Sequence, residues 1–161
     1  MPGKLFHYGY GGTEREYLAP YLNGGNVLLD IRLSNRSRQS DWRGRNLASW
    51  CHDVGGIYAH AGGFGNENYR DDTLPCVLSN PAPWATTVVE WFNGKEDRNV
   101  ILMCYCPKYH TCHRRTVLAY LQGWFHSVRE FGKATPNYAH PLNKGAPTID
   151  MTASSLFKER V

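Results

Sequence analysis

The chain has 161 residues, 42% of them hydrophobic and 20% charged, with a net charge of +4. That length suits one compact domain able to bury about 70% of its unfolded surface. No apolar run approaches the roughly 20 residues of a membrane span, and no N-terminal segment reads as a signal peptide. Five cysteines, at positions 51, 76, 104, 106 and 112, are an odd and scattered set. They make a poor disulfide framework and fit the reduced thiols of a cytoplasmic protein.

In chain order, residues 5–12 read Leu-Phe-His-Tyr-Gly-Tyr-Gly-Gly, an aromatic-rich strand ending in glycines. Thr13 and Glu16 follow at capping-box spacing, so a helix is expected there, shortened or bent by Pro20. Residues 27–32, Val-Leu-Leu-Asp-Ile-Arg, form an apolar run with a charged pair at its end, as in a buried parallel strand. Arg36, Arg38, Arg43 and Arg45 come next, with Asp41 as the one acid among them. A helix is predicted from about Trp42 to Asp53, stopped by Gly55 and Gly56, and a third strand at 57–60. A glycine-rich loop (61–69) and an irregular segment (70–83) rich in Pro, Asp and Asn lead to a helix over 84–93. Residues 99–104 are the clearest buried strand. Val117, Leu118, Leu121, Trp124, Phe125 and Val128 recur at helical spacing, which starts a long helix near Cys112 or His113.

Strands alternating with helices imply an α/β fold: a single three-layer domain whose mostly parallel sheet is flanked by helices. The domain is expected over residues 1–132. Residues 133–161 form an irregular extension packed on it or trailing from it, read as coil with one late helix at most.

Ligands of open parallel sheets bind beyond the carboxyl ends of the strands, and four polar segments follow predicted strands here. In the fourth, residues 104–115 hold three thiols, two imidazoles and two guanidinium groups at a helix start, where free N–H groups favour a phosphate or a thiolate. Cys104, Cys112 and His113 are therefore candidate catalytic groups; the alternative is that the cysteines are small core residues. Asp30 and His60 close two strands and are candidates for acid–base work, against a buried Asp30–Arg32 pair that locks the loop and an ordinary hydrogen-bonded histidine. Arg32, Arg36, Arg38 and Arg114 are candidates for holding phosphate. Gly63 would let the backbone approach a ligand, and Tyr8, Tyr10, Phe64 and Tyr69 would stack a base. The thiols and imidazoles are also metal-ligand types, but the C-x-C-x5-C-H spacing lacks the C-x2-C or H-x3-H pairing of common zinc sites, so neither metal nor cofactor is expected. No phosphate-binding Walker or dinucleotide fingerprint is present.

As an ordered set these residues resemble the family known as domain of unknown function 488, over roughly the first 125 residues. Asp30-Ile-Arg32 with the loop Ser34-Asn-Arg-Ser-Arg38 is similar to the family's Asp-Val-Arg and Ser-Arg loop. Tyr58-Ala-His60 with Gly62-Gly63 is similar to its Tyr-x-His strand and Gly-Gly loop, and Met103-Cys104 with Cys112-His-Arg114 to its Leu-Cys and Cys-His-Arg. At the first strand, Tyr8-Gly-Tyr-Gly11 stands where the family has Gly-His-Ser. The resemblance implies a prokaryotic or phage protein of unassigned activity. A fold-level analogy to rhodaneses exists in the Asp-x-Arg and the cysteine after a central strand, but the phosphatase pattern of Cys, five residues, Arg is absent. The expected function is an enzyme acting on an anionic substrate, a nucleotide or nucleic acid, by hydrolysis or by base or glycosidic-bond chemistry. The alternatives are a non-catalytic nucleic-acid-binding module and a thiol enzyme of sulfur-transfer or redox type.

Overall fold

The computed structural model describes residues 5–93, 98–106, 108, 111–129, 138–141 and 149–150. It is an α/β protein. The strands are β1 (Leu5–Gly9), β2 (Val27–Asp30), β3 (Ile57–His60), β4 (Val100–Cys104), β5 (Tyr138–Pro141) and β6 (Ile149–Asp150). The helices are α1 (Ala19–Leu22), α2 (Gly44–Asp53), α3 (Pro81–Asn93) and α4 (Arg114–Arg129). The sheet order is β3-β2-β4-β1-β5-β6, parallel throughout except for β6.

The central strands are apolar on both faces because both faces are covered. Leu5, Val27, Leu29, Val100 and Leu102 point to one side, where they meet Val88, Val89 and Phe92 of α3 and Val117, Leu118 and Leu121 of α4. Phe6, Tyr8, Leu28, Ile101 and Met103 point to the other, against Leu22 of α1, Leu47 and Cys51 of α2, and Trp42. The period-two alternation along each strand thus divides the core into two halves and produces three layers. Among the described residues, no helix is long and apolar enough to cross a membrane.

Three local expectations are corrected. Thr13 does not cap a helix: its hydroxyl donates to the Tyr10 carbonyl at 2.8 Å and pairs with the Tyr8 hydroxyl, and a 3-10 turn (Arg15–Leu18) precedes the short α1. The third helix starts at Pro81, three residues before Trp84, consistent with proline's fitness for a first helical turn. In the C-terminal extension the described residues are strands: β5 pairs with β1, Leu5 opposite Ala139 and His7 opposite Pro141. The edge of β1 left open by β4 supplies the ladder that this short segment needs, and Pro141 stands at its end.

Candidate active site

The parallel register brings the four predicted strand ends to one edge, with Gly9 level with Cys104 and Asp30 level with both His60 and Met103. Beyond that edge opens a cleft of about 1090 Å³. Cys104, Cys112 and His113 line it on one side; Arg32, Arg36, Arg38 and Arg70 bring the guanidinium groups, and Tyr10, Tyr69 and Tyr105 the rings.

Cys112 lies just before α4, where its sulfur accepts the Arg114 backbone N–H at 3.4 Å and the Arg114 Nε–H at 3.3 Å. Cys104 Sγ is 2.8 Å away and His113 Nδ1 is 3.9 Å away. His113 Nε2 is 2.8 Å from the Ile31 carbonyl, which can only accept, so Nε2 carries a proton and Nδ1 is the nitrogen turned to the sulfur. The Cys104 hydrogen bond, the His113 imidazole and the Arg114 guanidinium together hold the Cys112 thiol far below its ordinary range, against the opposing effect of burial. Burial, and then the neighbouring Cys112, push Cys104 the other way. The two shifts run in opposite directions and favour negative charge on Cys112 over Cys104, as does the N-terminal end of a 16-residue helix.

Arg114 is fully buried. Its guanidinium reaches Cys112 Sγ, His7 Nδ1 at 3.2 Å and the Cys106 carbonyl at 2.9 Å. It lies outside the cleft lining and acts on the thiolate, a correction to its expected role in phosphate binding. Gly9 makes room for it: a Cβ there would stand 2.9 Å from Arg114 and 1.9 Å from the Cys106 carbonyl oxygen.

Asp30 is fully buried, and both its oxygens are engaged, Oδ1 by Arg32 Nε at 2.7 Å and Oδ2 by the Arg32 guanidinium and the Tyr58 hydroxyl. Arg32 also donates to the Tyr10 hydroxyl at 2.9 Å. Burial alone would lower the Arg32 pKa, but Asp30 more than offsets it, and the net value is raised. The pair locks the start of the arginine loop and leaves Asp30 no free lone pair for acid–base work. His60 donates through Nε2 to the Arg32 carbonyl at 2.8 Å and braces the same loop.

The structure does not bring Tyr8, Gly63 or Phe64 to the cleft. Tyr8 is buried against Trp42 and Tyr17. Phe64 is turned under the sheet edge by a 3-10 turn (Gly62–Phe64) and joins the core beside α3. Gly63 is glycine for packing, since a Cβ would come 2.2 Å from the Asn80 carbonyl oxygen. Tyr10 lines the cleft but is itself stacked on Trp42 at 4.1 Å between centroids. Tyr105 and Arg70 were missed. Tyr105 stands edge-on to Tyr10, 62% exposed, directly after Cys104, and Arg70 lies over Tyr69. A large exposed aromatic just past a buried strand was the available signal for Tyr105; Arg70 sits in a segment without periodicity.

Cys104, Cys112 and His113 also place three metal-ligand atoms within 4.8 Å of one another. A guanidinium already bonded to Cys112 Sγ opposes a second cation at that sulfur. Among the described residues the donor set is two thiols and one imidazole, one ligand short of a structural zinc site and equal in number to the three of a catalytic one.

Fold and site together define a three-layer α/β protein with a Cys104–Cys112 pair and His113 at the carboxyl edge of its parallel sheet. The chain belongs to the family described as domain of unknown function DUF488, whose model matches residues 14–121. No curated protein and no solved structure matches it.

Proposed function

We propose that the protein is a thiol-dependent enzyme acting on a phosphate-bearing substrate of the nucleotide or nucleic-acid class, with Cys112 as nucleophile. One observation carries this: Cys112 and His113, with the buried Arg114 bonded to the Cys112 sulfur from behind, line the same cleft as the exposed Arg36, Arg38 and Arg70. Arg36 and Arg38 supply bidentate contacts to phosphate oxygens, and the exposed rings of Tyr105 and Tyr69 supply faces for a base. Cys112 Sγ, its proton passed to His113 Nδ1, attacks the electrophilic centre. The bond to the leaving oxygen or nitrogen breaks with its electron pair, and that atom takes the proton from His113 Nδ1. Water, losing a proton to the same nitrogen, then cleaves the thio-intermediate and restores the thiolate.

The test has two arms. A panel of nucleotides, single strands and duplexes is offered to the wild type and to Cys112→Ser, with mass spectrometry for a covalent adduct and fluorescence anisotropy for binding. The enzyme reading expects an adduct or turnover lost in Cys112→Ser, with binding retained. Binding without any adduct or turnover selects the non-catalytic nucleic-acid module instead. No binding by any member of the panel removes the nucleic-acid assignment and leaves thiol chemistry on another anion.

A further inference from the structure

Cys104 has no step in the chemistry of Cys112, yet the two sulfurs stand 2.8 Å apart, one at the end of β4 and the other just before α4. That is inside ordinary sulfur–sulfur contact, and a disulfide bond of about 2.05 Å requires a further approach of less than about 1 Å. Both residues line the cleft, Cys112 with 5% of its surface exposed and Cys104 with 1%, so a small oxidant meets Cys112 first.

We infer that Cys104 and Cys112 are a reversible oxidation site, closed to a disulfide by a peroxide and reopened by a thiol reductant. The inference rests on Cys112 being the reactive thiolate of the proposed function. Cys112 Sγ attacks the peroxide, the O–O bond breaks, and the sulfur becomes a sulfenic acid as the leaving oxygen takes a proton and departs as water. Cys104 Sγ then attacks the sulfenic sulfur, the S–O bond breaks, and its thiol proton leaves with the hydroxyl as a second water. Two thiols are oxidised and one peroxide is reduced. Cys106 is not the partner: its sulfur points to the Lys108 carbonyl at 3.3 Å and to the Thr111 hydroxyl at 3.8 Å. Cys51 lies in the opposite half of the core. The disulfide removes the nucleophile and cancels the negative charge that Arg114 faces, so the oxidised protein is inactive as a thiol enzyme until it is reduced.

The experiment uses the whole chain, treated with one equivalent of hydrogen peroxide, blocked with iodoacetamide and digested with trypsin. Cleavage after Arg98, Lys108 and Arg114 separates Cys104, in 99–108, from Cys112, in 109–114. The expected product is these two peptides joined, lighter by about 2 Da than their sum, and separated by dithiothreitol. Fragmentation between Cys104 and Cys106 assigns the link; Cys106→Ser must keep it and Cys104→Ser must lose it. A link through Cys106, or Cys112 oxidised to sulfinic acid with no link, overturns the inference. If Cys112 of untreated protein nevertheless alkylates readily near pH 6, the thiolate reading stands without the disulfide. Should Cys112 resist both reagents, the two fall together.

Discussion

Replacing Cys104 with alanine isolates the largest influence on the Cys112 thiolate. The sulfur 2.8 Å away is a hydrogen-bond donor to a charged acceptor, and losing such a bond costs about 1.5–3 kcal/mol. At 1.36 kcal/mol per unit, the Cys112 pKa should rise by about one to two units in Cys104→Ala. The His113 and Arg114 contacts keep it below that of an ordinary thiol. Alkylation by iodoacetamide, followed on peptide 109–114 from about pH 3 to pH 9, reads the shift as a displaced midpoint. Because nucleophilicity rises with thiolate basicity, the high-pH plateau should also increase, by about three-fold per unit. Cys104→Ser, which keeps a donor in place, should move both quantities less. A midpoint unchanged in Cys104→Ala, with an unaltered circular-dichroism spectrum, would refute the assignment of Cys104 as the donor that holds the thiolate.

Arg36→Ala and Arg38→Ala should each weaken nucleotide or single-strand binding about ten-fold or less, since exposed contacts are screened, with a shallower salt dependence; Arg45→Ala, outside the cleft, is the control. Tyr105→Ala should weaken binding of a single strand but not of inorganic polyphosphate, measured by anisotropy and competition. Asp30→Ala should destabilise the protein by about 3–5 kcal/mol in urea unfolding, because it strands the buried Arg32 guanidinium; an Asp30 variant that is inactive yet fully stable would restore a catalytic role. Protein purified without a polyhistidine tag or added metal should carry well under one zinc per chain, and a stoichiometric ion on elemental analysis would recast Cys104, Cys112 and His113 as ligands.

The strands beginning at Val27 and Val100 were legible because the pattern of a strand covered on both faces is a plain apolar run, and those at Leu5 and Ile57 because short aromatic or β-branched stretches are bounded by glycines. β5 was not: Tyr138-Ala-His-Pro has no period of its own, and its place depends on an open ladder more than a hundred residues earlier in the chain. Cys112 and His113 could be read from the start of α4. The role of Arg114 could not, since it depends on a side chain folding back toward β1 through the space a glycine leaves. Phe64 misled for a related reason: its three glycine neighbours suggest an open loop, whereas they allow the chain to pass close to Leu33 and Asn80 and turn the ring inward. Asp30 showed both possibilities in the sequence, and only its four hydrogen bonds decided between them.

The hydrogen bond from Cys104, with His113 and the buried Arg114 beside it, ties the protonation state of Cys112 to the folding equilibrium. The folded thiol titrates below the unfolded one, whose pKa is about 8.5, so the stabilisation is complete above that value and is lost as the pH falls through the folded value. Alkylation removes the same charge at any pH and leaves the guanidinium facing a neutral thioether. Modified protein should therefore melt at a lower temperature than free protein, and the gap should narrow toward acid. A covalent intermediate on Cys112 carries the same penalty for as long as it persists, so the fold itself favours its breakdown and the return of the thiolate.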